Sequence, residues 1–268
     1  MIAKSEVISY IAQIPSSQQV IQQAIKLLDS NNLEQAGQLL QTAPAIVDYL
    51  QKMSRKGVLC IQEKDPCANT VIVFFGSKKT KAILYTYLIS TILPKKWQLF
   101  DISNDQFFEL SATLIHNWER ILKTICPNDI SKYIAASSLI TSSIAICDSI
   151  FGAKRKELDS LMSISHIDFS KLLETLTGMS IFDVAKIVGE KLSFEQEAID
   201  VIGYAATAKE STENPQAAKL GKFLHLLLFY SLSRQEYIKT GLNSFLNFNT
   251  DGVAGVFEQF SSIVETES

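Results

Sequence analysis

Three histidines, His116, His166 and His225, are the only imidazoles among 268 residues, and imidazole is the usual side chain for holding a metal or moving a proton near neutral pH. The nearest approach to a ligand pair is His166-Ile167-Asp168. A spacing of two sends side chains to different faces of a helix, and Asp168 is better placed to cap a helix opening Phe169-Ser170-Lys171. A metal centre needs further ligands, and neither of the other histidines has a partner close in sequence. His116 stands near Trp118 and Glu119 with no nucleophile or triad partner beside it. His225, within Phe223-Leu224-His225-Leu226-Leu227, reads as a hydrogen-bonded core or groove residue. It is the histidine whose titration should be most perturbed.

Other motifs resolve the same way. Val71 to Thr80, VIVFFGSKKT, has one glycine where a phosphate-binding loop needs two to wrap its backbone amides around the phosphates. It reads as a buried turn joining two helices. Cys60, Cys67, Cys126 and Cys147 show no C-x-x-C and no zinc-ribbon spacing, and Cys147 reads as a small core hydrophobe. That usage suggests a reducing compartment without disulfides. Ser137, Ser138, Ser142 and Ser143 lack a nucleophile elbow and read as small residues that let helices approach. No catalytic residue, metal or cofactor is expected.

The bulk numbers agree. A net charge of −3 offers no electrostatic footprint for nucleic acid. The clusters Lys78-Lys79-Lys81 and Lys154-Arg155-Lys156 read as solvated helix surface. The opening MIAKSEVISYIAQIP carries Glu6 and no apolar run of signal-peptide length, while Phe223 to Leu232 is about half of the roughly 20 residues that cross a bilayer. A cytoplasmic protein with no membrane insertion is the expectation. Only 11 Gly and 6 Pro argue against a turn-rich all-β chain.

What positions these residues is a succession of short helices. Ser16-Ser17-Gln18-Gln19 is a capping pattern ahead of Val20, Ile21, Ala24, Ile25 and Leu28. Asp29-Ser30-Asn31-Asn32 breaks that helix and caps one with the stripe Leu33, Ala36, Leu39 and Leu40. A third begins at Pro44, buries Ile46, Val47, Leu50 and Met53, and stops at Gly57. Residues 58–69 read as a loop, and 71–76 as a buried strand or a short buried helix. Helices are predicted over 77–93, 104–126, 129–151, 154–163, 168–176, 180–190, 193–206, 215–232, 234–245 and 253–263, with a polar loop at 209–215.

Ile14-Pro15 with a helix ending Leu27-Leu28-Asp29 forms one recognisable unit. Thr42 to Leu50, Thr70 to Ser77, and Phe107-Phe108 through Trp118 follow it in order. This succession, over roughly residues 5–235, resembles the HD-related output domain (HDOD) family of bacterial signalling proteins. The resemblance implies a compact all-α, HD-domain-like bundle in which 70–75 is helical. It implies a single domain over 1–268, with a core of about 5–235 and a helical extension of about 236–268. Related HD phosphohydrolases hold metals through a His-Asp pair and further His and Asp residues. Ser138 to Ile144 aligns with the first pair, so Thr141 and Ser142 stand there, and a later His-His pair would fall at Gly203 and Tyr204. Uncharged hydroxyls cannot replace those ligands.

The expected function is therefore a non-catalytic regulatory or scaffolding module in bacterial signal transduction. It would act through protein–protein contacts, with self-association open and 253–263 as one docking element. Two alternatives stand beside it. One is a residual metal-dependent phosphohydrolase of nucleotides or cyclic dinucleotides, built if His166, Asp168, His225 and other carboxylates converge. The other is a small-molecule sensor using a vestigial cleft at Thr141, Ser142 and Tyr204.

Overall fold

The computed structural model describes residues 3–14, 19–56, 61, 66–207 and 211–264, and all regular structure among them is helical. The Ser16–Gln18 capping pattern, Pro15, Gly57, Cys60 and Lys209-Glu210 lie outside the described residues. The chain runs through α1 (Lys4–Ala12), α2 (Gln19–Asp29), α3 (Leu33–Gln41), α4 (Pro44–Met53), α5 (Ala68–Ser90), α6 (Asn104–Ile125), α7 (Ile130–Tyr133) and α8 (Ala136–Phe151). It continues through α9 (Arg155–Ser165), α10 (Phe169–Thr177), α11 (Ile181–Lys191), α12 (Gln196–Thr207), α13 (Pro215–Leu232), α14 (Gln235–Ile238), α15 (Thr250–Val253) and α16 (Phe257–Val264).

The middle of the bundle is α8, packed against α5, α6, α11 and α12. Every residue from Ala136 to Asp148 is buried, which its run of Ala, Ser and Thr allows by letting neighbouring backbones approach. The hydroxyls of Ser137, Thr141, Ser142 and Ser143 donate to carbonyls three residues back, and Ser138 donates to Ala82 O of α5 at 2.9 Å and accepts from Thr86 at 2.8 Å. The small serines thus serve close packing, as their spacing suggests. Surrounding helices start where side chains can cap them: Ser103 with Gln106 for α6, Asp168 for α10, Ser180 with Asp183 for α11, and Asn214 for α13.

Several predicted boundaries move. Residues 68–75 are helical, as the HDOD resemblance implies, so no strand forms there. At Gly76 the backbone turns to φ 74°, a left-handed conformation that glycine adopts without strain, and the helical path resumes to Ser90. This turn is half-buried rather than buried, with Val73 and Phe74 exposed beside it. The predicted helix 129–151 breaks after Tyr133 because the Trp118 indole N–H donates to the Tyr133 carbonyl at 2.9 Å. The segment 234–245 breaks at Gly241 into α14 and a 3₁₀ turn, Leu242–Phe245.

Asn31 takes φ 54° after α2, and Asn32 N–H returns to Leu27 O at 2.8 Å, so these two residues end the helix while Asp29 turns elsewhere. The Asn249-Thr250-Asp251-Gly252 stretch is not a loose turn: Asn249 caps α15 by accepting Gly252 N–H at 2.9 Å. The C-terminal elements are woven into the core. Phe245 meets Phe100 and Phe169, and Tyr237, Val256 and Phe260 join the same apolar cluster as α8. The stretch Ile130–Ser165 is apolar enough by composition to cross a bilayer, yet it is broken into shorter helices and 89% of its most apolar window is buried within the bundle.

Candidate functional site

The four positions that the HDOD resemblance aligns with the HD ligand pairs differ in their surroundings. Thr141 and Ser142 are fully buried on α8, and their hydroxyls donate back to Ser138 O and Leu139 O, both at 2.7 Å. Gly203 lies on the surface, where an added Cβ would meet nothing within 4 Å. Tyr204 is half-buried, and its hydroxyl shares a hydrogen bond of 2.9 Å with Ser211. Its backbone is pressed by α13, since a Cβ on Gly221 would come within 2.8 Å of the Tyr204 carbonyl carbon and the Ala205 nitrogen. Of the residues expected to line a cleft, Thr141 and Ser142 are enclosed and the Tyr204 hydroxyl is engaged with Ser211.

Nor do the residues present fit the metals of an HD centre. Two enclosed hydroxyls whose protons are committed to backbone carbonyls supply no charge to a cation. Among the described residues no three His, Cys, Asp or Glu side chains come together as a metal-binding group. His116 is half-buried on α6, and His166 is exposed in the left-handed residue that ends α9. Asp168 caps α10 by accepting Lys171 N–H at 2.8 Å, as its position predicts. The phosphohydrolase arrangement of His166, Asp168 and His225 does not assemble.

His225 is 1% exposed on α13 and lies between the rings of Phe182 and Phe248, at centroid distances of 5.7 and 5.6 Å. The Asn249 backbone N–H donates to its Nε2 at 3.1 Å, and Nδ1 lies 2.9 Å from Ala205 O. A backbone amide can only donate, so Nε2 carries no proton and the ring is neutral with Nδ1–H donating to Ala205. Burial, partly offset by the Ala205 carbonyl, holds its pKa below the ordinary 6.5. The unfolded chain therefore takes up this proton first. Stability should be full above about pH 6.5, fall by up to about 1.4 kcal/mol per pH unit below it, and level off once the folded ring protonates. His225→Gln should flatten that part of the curve in urea unfolding between about pH 8 and pH 5, and equal pH slopes for the two proteins would refute the assignment.

A second polar cluster joins residues that lie far apart in the sequence. Lys81, read there as surface, is 2% exposed. Its ammonium contacts Asp29 Oδ1 at 2.8 Å, Glu195 Oε1 at 2.6 Å and Ser131 O at 3.2 Å, while the Ser131 hydroxyl donates to Asp29 at 2.7 Å. Lys79 is not surface either: it pairs with Glu119 at 2.7 Å, the two side chains being 16% and 9% exposed. One turn beyond Lys81, Tyr85 packs on Phe194 at 4.2 Å. Burial first, then the Glu195 carboxylate, hold its phenol protonated far above the ordinary range. Beside the cluster lies a cavity of about 350 Å³ lined by Gln22, Lys26 and Asp29 of α2, Tyr85, and Phe194-Glu195. The clue in the sequence was a lysine immediately before the unbroken buried run Ala82 to Ile89. The cluster ties α2, α5 and the start of α12 together, and it presents no nucleophile.

No family model matches the chain, and no curated protein matches it. Two solved structures are similar over nearly its whole length. An HDOD domain protein with unknown function from Geobacter sulfurreducens superposes with a TM-score of 0.64 at 13% identity, covering 98% of this chain and 94% of its own. A protein described as "Putative phosphohydrolase from Shewanella amazonensis SB2B" superposes with a TM-score of 0.63 at 8% identity, covering 98% of both chains. The fold is thus of the HDOD type, all-α throughout the described residues.

Proposed function

We propose that this HDOD-type chain is a non-catalytic regulatory or scaffolding module that works through protein contacts in the bacterial cytoplasm. The observation that carries the reading is the state of Thr141 and Ser142: enclosed in α8, with both hydroxyls spent on their own helix. A scaffold with that pocket filled retains shape and surface but not the means to activate water. The surface supplies candidate contacts. Val73 and Phe74, 74% and 59% exposed at the Gly76 turn, stand out from the fold more than solvent alone favours.

Metal analysis coupled to a phosphate-release assay tests this directly. The purified chain, incubated with Mn²⁺, Fe²⁺ or Zn²⁺ and desalted, should retain far less than one metal per chain. It should release phosphate from nucleotides and cyclic dinucleotides at the background rate. Stoichiometric metal with metal-dependent release would instead establish the hydrolase reading, to which the description of the Shewanella protein lends its weight.

A further inference from the structure

Between the second half of α13 and the C-terminal helices α15 and α16 lies a cleft of about 530 Å³ that the preceding reading does not use. Its walls are aromatic. Phe229 and Phe248 stack with centroids 3.9 Å apart, Tyr230 meets Phe260 edge-on at 5.9 Å, and Phe257 stands at the mouth, 54% exposed. The polar side chains among its lining are limited to those with neutral hydroxyls, Tyr230, Ser233, Thr250 and Ser261, and no charged side chain lines it.

Those walls restrict the occupant. An ionised group placed inside would lose hydration with no counter-charge to replace it. An uncharged apolar body gains by leaving water, roughly 25 cal/mol for each Å² buried. The volume lies within the range of about 300–1,000 Å³ typical of small-molecule pockets. The wall open to solvent is far smaller than the roughly 800 Å² per partner that a stable protein interface covers, so a second copy or a partner helix would gain too little from it. Stacked and edge-on aromatic pairs offer both faces and edges to a flat ring, the two arrangements that ring systems favour. We infer that this cleft is a binding site for a small, uncharged aromatic molecule. The inference goes beyond the regulatory reading and does not depend on it, and the metal and phosphate measurements can come out either way without altering its test.

N-phenyl-1-naphthylamine, an uncharged fluorophore that brightens in apolar surroundings, is a suitable probe. Titrated into the full chain it should bind saturably with one site per chain. Ala254→Phe places a ring in the cleft from an exposed lining position and should weaken binding by about tenfold or more, with the melting temperature of the free protein unchanged. Ile164→Ser, at an exposed apolar residue of α9 that does not line the cleft, should leave it unaltered. Absence of saturable binding overturns the proposal, as does full binding by Ala254→Phe or an equal loss in Ile164→Ser. Probe release on self-association, followed by sedimentation, would put a second copy in the cleft and also overturn it.

Discussion

Replacing Lys81 with alanine should destabilise the fold by about 3 kcal/mol or more near pH 7, a loss readable from urea unfolding midpoints. The side chain is buried, and its ammonium is the shared counter-charge of Asp29 and Glu195. Asp29 is 40% exposed, so water would take over much of its hydration, and that half of the cost is discounted. Glu195, 24% exposed, keeps Oε1 on Lys81, while its Oε2 is sealed from solvent without a partner in hydrogen-bonding geometry, although the Tyr85 hydroxyl faces the carboxylate. It would be left as a carboxylate in a poorly hydrated site.

That mechanism has a signature which simple loss of packing lacks. Lys81→Met combined with Glu195→Gln, which removes the charges of that pair and keeps the volume, should recover much of the loss. A Lys81→Ala protein less than about 1 kcal/mol weaker than its parent, or a double variant no more stable than Lys81→Ala, would reduce the cluster to an ordinary surface pair.

The all-α reading was legible because most helices announce themselves locally. The capping box at Ser103 and Gln106 opens α6, and Asn214-Pro215 opens α13, both within a residue or two of their predicted starts. His225 could also be placed, since an imidazole inside an unbroken apolar run must find hydrogen bonds in the core, and it finds Ala205 and Asn249. Long-range contacts were not legible. The break after Tyr133 depends on an indole 15 residues away, and Lys81 became a core residue only through Asp29 and Ser131, 52 and 50 positions distant. The order of elements located Thr141, Ser142, Gly203 and Tyr204, but not that α8 would enclose the first two while Gly203 emerged at the surface.

Asp148 carries the second large effect, and it is an acid that periodicity alone assigns no role. It lies one turn before the end of α8 at 2% exposure, pointing at the irregular segment that leads from α5 to α6. Its Oδ1 accepts Leu99 N–H at 2.7 Å and Phe100 N–H at 3.1 Å, and its Oδ2 accepts Gln98 N–H at 3.0 Å. Asp148→Ala would leave the Leu99 and Phe100 amides buried without acceptors. At about 1–3 kcal/mol for each orphaned donor, the expected cost is about 3 kcal/mol, with Gln98 rescued by solvent. Asp148→Asn keeps one acceptor oxygen and should cost about half as much. The damage should spread, because the Phe100 ring meets Phe169 and Phe245 and so links this segment to α10 and the C-terminal elements. Hydrogen exchange should accordingly quicken at Leu99, Phe100 and Phe245 together in the alanine variant. Faster exchange at Leu99 alone would mean that Asp148 holds only its own loop and that the aromatic cluster stands without it.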